Sequence, residues 1–236
     1  MSGRVAWWGT AWLRGDAAPD DVIDAVHAGE LPHSVSGLRA DAVPLLVGLA
    51  ELRDRGATAF GAAFPAEGDP VGLGGPAGFN TAAIEAGEAV VAVDGGAGLV
   101  PLRVGPTYQW SAFDASRRQL PDVGEADRNL RATLLEAADV LAGLEVARWR
   151  PEVADELLNL RRVQALTTPP GVPERCADLA ARALQALGIA ELAFEDDGAA
   201  LTAAHAEARR AAILPLERAG RRALTAACSP EAWPPG

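Results

Sequence analysis

Hydrophobic residues are spaced differently in the two halves of this 236-residue chain. Between residues 58 and 113 they fall in short segments where every second residue shares a face, which is typical of β-strands. From Gly124 onward they recur every three or four residues, which is typical of helices packed on other helices. The change of period predicts a mixed front half and a helical back half.

The front half is predicted to combine short helices with strands. Strands are predicted over residues 58–64, 88–93, 99–104 and 107–113. Short turn sequences join the last three strands, which favours an antiparallel meander. Helices are predicted over residues 19–28, 41–55 and 80–86, with Asn80 as the N-cap of the third. Residues 4–13 fit a helix or a strand, because Trp8 and Trp12 share a helical face while Val5 and Trp7 alternate.

The back half is predicted to be helical throughout. One helix face contains Leu130, Leu134, Ala137, Leu141 and Leu144; further helices follow Pro151 and span Pro173–Leu187 and Ala199–Ala227. We expect Pro215 to kink or split the last helix. The predicted class is α+β, an antiparallel meander of three to four strands with short helices, followed by a bundle of four to five helices. The predicted division is residues 1–118 and 119–236.

The composition excludes several kinds of chemistry. All 21 basic residues are arginine. Without lysine, the chain cannot form a Schiff base with pyridoxal phosphate or a Walker-type phosphate loop. No cofactor is predicted.

The net charge of −11 disfavours nucleic acids and anionic membranes as partners. Two cysteines are too few for a disulfide framework. Apolar stretches also fall short of the ~18–20 residues that a membrane helix needs. These features predict a cytoplasmic protein, with a protein partner or a second copy of itself as the expected macromolecular partner.

A glycine-rich loop is the best motif in the sequence. Residues 72–77, Gly-Leu-Gly-Gly-Pro-Ala, fit the dinucleotide pattern G-x-G-x-x-A, and Asp94 follows where a ribose-binding acid would stand. The residues before the loop contain Gly68 and Pro70, which do not suit the central strand that this pattern requires. The alternatives are an anion pocket at a helix N-terminus, formed by Gly74, Gly75 and the free amides of Thr81 and Ala82, or a turn-rich surface loop.

Aromatic and basic residues supply the other candidates. Tyr108 and Trp110 share a strand face, where they either stack a ligand ring or belong to the core. Arg117 and Arg118 follow, and they either clamp a carboxylate or pair with acids. The candidate ligand-binding residues are therefore Gly72, Gly74, Gly75, Asn80, Thr81, Asp94, Tyr108, Trp110 and Arg117.

Metal and nucleophilic sites have weaker support. Cys176, His205 and Cys228 could meet in the bundle and bind zinc, but their spacing does not require it. The carboxylates of residues 195–197 are more simply the acids that precede a helix. Arginines between residues 209 and 222 either pair with acids or dock an acidic partner. No metal site is predicted, and no catalytic residue is identified.

Two functions remain after these exclusions. The favoured one is a non-enzymatic binding or interaction protein with a regulatory or assembly role. The alternative is an enzyme that acts on a small anionic metabolite held by the glycine-rich loop at a helix N-terminus. A deep pocket with converging polar groups would favour the enzyme, and a large exposed apolar patch would favour the interaction protein.

Overall fold

A computed structural model of the chain describes residues 1–27, 32–116, 118–143, 166–195 and 203–233. Its strands are β1 (Ser34–Ser36), β2 (Val43–Pro44), β3 (Ala59–Ala63), β4 (Ala89–Val93), β5 (Ala97–Val104) and β6 (Thr107–Asp114). Its helices are α1 (Ser2–Arg14), α2 (Pro19–His27), α3 (Leu45–Asp54), α4 (Ala77–Ala86), α5 (Val123–Gly143), α6 (Glu174–Glu195), α7 (Ala203–Ala227) and a short 3-10 helix (Pro230–Ala232).

The strands form one mixed sheet of six strands in the order β2-β1-β6-β5-β4-β3. Strands β3 to β6 pair antiparallel with their neighbours, whereas β1 lies parallel to β6 with Val35 opposite Trp110. The predicted antiparallel meander of three to four strands is therefore wrong. Strands β1 and β2 contain only three and two residues, too few to show an alternating pattern. The parallel pairing also joins segments far apart in the sequence.

Helices cover both faces of this sheet. On one face, α1, α2 and α3 enclose a core that contains Leu49 and Trp110. On the other face, α4 packs Phe79 against Val91 and Val100. The ring of Phe79 comes so close to β5 that a Cβ on Gly98 would lie 2.4 Å from it, which explains a glycine inside this strand.

The predicted bundle of four to five helices is also wrong. In the described part of the back half, α5, α6 and α7 pack on α1 and β3 as well as on one another. A single cluster joins Trp7 and Ala62 of the front half with Leu130, Leu179 and Leu224 of these helices. Helical periodicity shows which face of a helix is buried, but not which element covers it. The division into residues 1–118 and 119–236 stays a prediction.

Residues 4–13, which fit two patterns, belong to helix α1. The helix ends at Gly15, whose φ of 82° is left-handed and whose amide bonds to the Trp12 carbonyl at 3.0 Å. Val5 packs against the sheet and Trp7 against the back-half helices, so α1 is covered on two sides. Because α1 is buried on two sides, its apolar residues do not show the single apolar face of an amphipathic helix. Helix α7 continues through Pro215 and is not split there.

The outer edge of β3 is covered by the C-terminal end of α7. The Ala62 amide donates to the Cys228 carbonyl at 2.9 Å, and the Ala62 carbonyl accepts from Arg118 at 2.9 Å. The sheet edge is therefore closed to pairing with another chain.

Candidate functional site

A cavity of about 570 Å³ lies between the front half and helices α6 and α7. Its lining residues are Met1, Gly3, Arg4, Trp7, Trp8, Asp24, Ala25, Phe64, Tyr108, Leu166, Thr167, Ala180, Leu184, Leu224 and Cys228. Small-molecule sites typically enclose about 300–1,000 Å³ and have mainly apolar walls with a few polar groups. The cavity has the size and composition of such a site.

Helix α1 supplies the aromatic wall. Gly3 and Arg4 lie about one helical turn before Trp7 and Trp8, which places the two pairs on one side of the helix. The Trp7 indole is held in place because its Nε1 donates to the Ala227 carbonyl at 3.1 Å. This wall is therefore tied to the end of α7.

Helices α6 and α7 supply the opposite wall. Ala180 and Leu184 are one turn apart on α6, and Leu224 and Cys228 are one turn apart at the end of α7. The small side chain of Ala180 leaves space in the cavity. Leu184 is 44% exposed because its side chain faces this space.

The charged groups of the cavity are exposed at its mouth. Arg4 on α1 and Asp24 on α2 both line it, and within the described ranges neither side chain has an ion-pair partner. Tyr108 contributes a half-buried ring that makes an edge contact with His33, with 5.2 Å between ring centroids. The arrangement combines an apolar interior with one cation and one anion at the rim.

The thiol of Cys228 lines this cavity but is not reactive. Burial raises its pKa to about 12; the Met1 amino group and, more weakly, Arg118 act in the opposite direction, while Cys176 adds to the increase. A thiol must ionise to act as a nucleophile. Cys228 is therefore a small apolar wall residue near neutral pH.

Behind the cavity, a buried arginine connects the two halves of the chain. The Arg118 guanidinium donates to the carbonyls of Ala62 at 2.9 Å and Gly72 at 3.3 Å, and to Ser229 Oγ at 2.9 Å. It also donates twice to Glu231 Oε1, at 3.1 and 3.0 Å. Burial lowers the pKa of Arg118, and Glu231 opposes this effect. These contacts satisfy the guanidinium internally, so Arg118 is a structural residue.

A second ion-pair cluster fixes the glycine-rich loop on helix α7. The Asp69 carboxylate is 3% exposed and accepts from Arg222 at 2.7 and 3.2 Å. Arg218 lies 3.3 Å from the same carboxylate. Arg221 pairs with Glu217 within α7. Arg218, Arg221 and Arg222 thus pair with acids of the chain itself, whereas Arg210 lies over the ring of Phe194.

Family comparisons divide the chain near its middle. The N-terminal domain model of the Rv1486c-like protein family matches residues 2–124, and the C-terminal domain model of the same family matches residues 124–225. The chain belongs to the Rv1486c-like protein family. No curated protein and no solved structure matches it.

In this Rv1486c-like chain the glycine-rich loop uses its backbone for internal contacts. The Gly72 carbonyl accepts from Arg118, and a Cβ at this position would lie 2.8 Å from Thr225. The Gly75 amide donates to Asn80 Oδ1 at 2.9 Å. Gly74 is exposed.

Helix α4 begins earlier than predicted. Pro76 is its N-cap, so Asn80 lies within the first turn instead of capping it. A helix N-terminus leaves only its first four amides free. Thr81 is the fifth residue of α4, and its amide is beyond the region that would bind an anion.

The groove beside α4 has an acidic lining. It measures about 760 Å³, and Thr81 is one of its residues. Its charged residues are Glu67, Glu85, Glu217 and Arg221, and the arginine is already paired with Glu217. The net negative charge disfavours an anionic ligand here.

The remaining predicted site residues lie elsewhere. Asp94 lies in the β4–β5 turn with a φ of 64° and accepts from Thr58 Oγ1 at 2.8 Å. Trp110 is fully buried under α1, α2 and α3, on the face opposite α4. Tyr108 lies two residues away on that same face and lines the cavity. Arg117 lies outside the described residues. The structure therefore does not bring Asp94, Tyr108 or Trp110 together with the glycine-rich loop.

The sequence interpretation missed most of the cavity. Arg4, Trp7, Trp8, Asp24 and Leu184 were not candidates, because no local motif connects three helices that are distant in the sequence. The sequence contained one indication of the buried Arg118. Gly61 lies inside a predicted strand, where a glycine indicates that another group comes close to the backbone.

Metal binding and membrane insertion receive no support from the described residues. Within these residues, no group of three or more His, Cys, Asp or Glu side chains is placed to hold a metal ion. The side chain of His205 and residues 196–198 of the acidic segment lie outside the described part of the chain. No described helix is both long and apolar enough to cross a bilayer.

Proposed function

We propose that this chain is a non-enzymatic binding protein whose ligand occupies the cavity between α1 and helices α6 and α7. The observation that carries the proposal is the cavity itself, with its apolar interior and its aromatic wall of Trp7 and Trp8. Walls of this kind bind an apolar ligand body by removing it from water.

Two features favour binding over catalysis at this cavity. The buried nucleophile, Cys228, has its pKa raised by burial to about 12, which opposes reactivity. The charged residues, Arg4 and Asp24, are at the exposed mouth and do not converge inside the cavity. A general acid or base is more effective where burial or a charged neighbour tunes its pKa toward neutrality.

The alternative enzyme that would hold an anion at the glycine-rich loop has less support. The loop amides and carbonyls are used in contacts with Asn80 and Arg118, and the neighbouring groove is acidic. A cytoplasmic location is part of our proposal, since both cysteines are buried free thiols that suit a reducing compartment. In this proposal, ligand binding controls contact with a protein partner or a second copy of the chain, which gives the protein its regulatory or assembly role.

A neutral apolar dye tests whether the cavity binds ligands. Nile red fluorescence should rise on binding, and Leu184→Gln should weaken its affinity about ten-fold, equivalent to about 1.4 kcal/mol. Leu214→Gln is the matched control, because Leu214 on α7 is 46% exposed against 44% for Leu184 but does not line the cavity. Thermal unfolding of both variants checks that their folds are intact.

The two variants separate the possible outcomes. Weakened dye binding in Leu184→Gln alone supports the cavity as the site. Dye binding that is absent in the wild type, or equal in both variants and the wild type, would remove this function.

A further inference from the structure

The geometry points to an apolar carboxylate as the ligand of this cavity, with the carboxylate on Arg4 and the hydrocarbon body between Trp7 and Leu184. This inference rests on the proposed binding function and specifies the ligand class.

Among the described residues that line the cavity, Arg4 supplies the cationic side chain. It lies three residues before Trp7 and four before Trp8, so its guanidinium and the two indoles belong to one wall. Other arginines of the core region, such as Arg118 and Arg222, donate to acids of the chain. Within the described ranges, Arg4 makes no such pair. A guanidinium offers two parallel N–H donors that match the two oxygens of a carboxylate.

The surrounding charges favour an anion on this wall. Helix α1 contains Arg4 and Arg14 and no acidic residue. At the cavity floor, Cys228 is close enough to the Met1 amino group and Arg118 for both cations to act on its thiol. Both of these cations are paired, the Met1 amino group with Glu88 at 3.0 Å and Arg118 with Glu231 at 3.0 Å, so a negative group at this wall depends on the charge of Arg4.

The opposite rim limits how much negative charge the ligand carries. Asp24 on α2 lies at the same mouth, and within the described ranges it has no cationic partner. A doubly charged phosphate would face one guanidinium and one carboxylate, whereas a single carboxylate is balanced by Arg4 alone. A ligand with one negative charge is therefore the best match for the charges at the mouth of the cavity.

The walls determine the remainder of the ligand. Trp7, Trp8, Phe64, Leu184 and Leu224 supply aromatic and aliphatic surface, and polar side chains are few. Burial of a hydrocarbon chain is favourable in proportion to the apolar surface removed from water. An acyl chain or an aryl ring fits these walls, and a polar body would lose its hydration without gaining partners.

A matched set of ten-carbon ligands tests the inference. Decanoate, decanol and decylamine share one chain and differ only in their head groups. Calorimetric titration of the full chain, below micelle-forming concentrations, should show decanoate binding about ten times or more tightly than decanol. Arg4→Gln should remove this preference and leave decanol affinity unchanged. Arg14→Gln is the control, since it removes the same charge from the same helix outside the cavity.

The results distinguish this inference from the proposed function. Equal affinity for the three ligands, or a decanoate preference that survives Arg4→Gln, would overturn the carboxylate assignment while Nile red binding still supports the cavity. Preferential binding of decylamine that disappears in Asp24→Asn would overturn it in favour of a cationic ligand. Failure of all three ligands and of Nile red would remove both proposals.

Discussion

The guanidinium of Arg118 lies where a side chain at residue 61 would begin. A Cβ on Gly61 would lie 1.8 Å from Nη2 of Arg118 and 3.0 Å from its Cζ. Glycine weakens the interior of a strand, so its presence in the middle of β3 needs a reason. The close approach of the guanidinium, which cannot retreat without losing its bonds to Ser229 and Glu231, supplies that reason.

The substitution Gly61→Ala should therefore destabilise the protein by about 3 kcal/mol, because the methyl group displaces a buried and fully bonded charge. Gly78→Ala is the control. Gly78 is in helix α4, where a Cβ would have nothing within 4 Å, and alanine there should be neutral or up to about 1 kcal/mol more stable. Urea unfolding measures both. Equal effects of the two changes would contradict the close approach.

Arg118→Met should destabilise the protein by about 3–5 kcal/mol, since it removes the donor of Glu231 and of the Gly72 carbonyl. Arg103→Met, at an exposed arginine of β5, should change stability by less than about 0.5 kcal/mol.

The substitutions Gly61→Ala and Arg118→Met should also couple, because the new methyl group and the guanidinium compete for the same space. Once the guanidinium is absent, the methyl group of Gly61→Ala has room, so the double variant should be clearly more stable than the sum of the single effects predicts. Additive free energies of unfolding in the double-mutant cycle would show that residues 61 and 118 act separately.

Several elements were predictable because their signals are local. The strand predicted over residues 107–113 is found at Thr107–Asp114, and the one over residues 88–93 at Ala89–Val93. Each is rich in residues that favour strands and has a turn beside it. The fold class was not predictable in the same way. Strand β1 is three residues long, and its parallel partner β6 is far away in the sequence, so no window of the chain contains the pairing.

The candidate site was also not predictable from local sequence patterns. Trp7 and Leu184 both line the cavity although they lie on helices distant in the sequence, and neither residue has a motif around it. The glycine-rich loop, by contrast, has a motif but is explained by packing, since Gly72 allows close contact with Thr225. A local motif identified a turn, and the cavity arose from contacts between distant helices.

The pairing of Asp69 with α7 should anchor the glycine-rich loop. Asp69→Asn should cost about 2 kcal/mol, because Arg222 loses a charge-assisted pair with a carboxylate that is 3% exposed. Asp54→Asn is the control, since Asp54 pairs with Arg53 at the surface with 70% of its side chain exposed, and it should have little effect. Hydrogen exchange should show faster exchange in the loop only for Asp69→Asn. Unchanged loop protection would contradict the anchoring role.

Alkaline pH should destabilise the fold through its two thiols. Burial raises the pKa of Cys176 to about 11 and that of Cys228 to about 12, from an ordinary value of 9.0. Above pH 9.0 the unfolded chain releases thiol protons that the folded chain retains, so the unfolded state is favoured. The contribution to stability is complete below that pH and is lost as the pH rises toward 11.

The size of this effect can be isolated because the chain contains no lysine to titrate in the same range. Each thiol should reduce the free energy of unfolding by up to about 1.4 kcal/mol per pH unit. Urea unfolding between about pH 8 and 10.5 should therefore show a shallower decline in the double variant Cys176→Ala, Cys228→Ala than in the wild type, even though the variant starts less stable. Comparing slopes rather than absolute stabilities removes the packing cost of the two lost sulfur atoms. Parallel declines would mean that the thiols ionise equally in the folded and unfolded chains, which is incompatible with their burial between α6, α7 and the N-terminal helix.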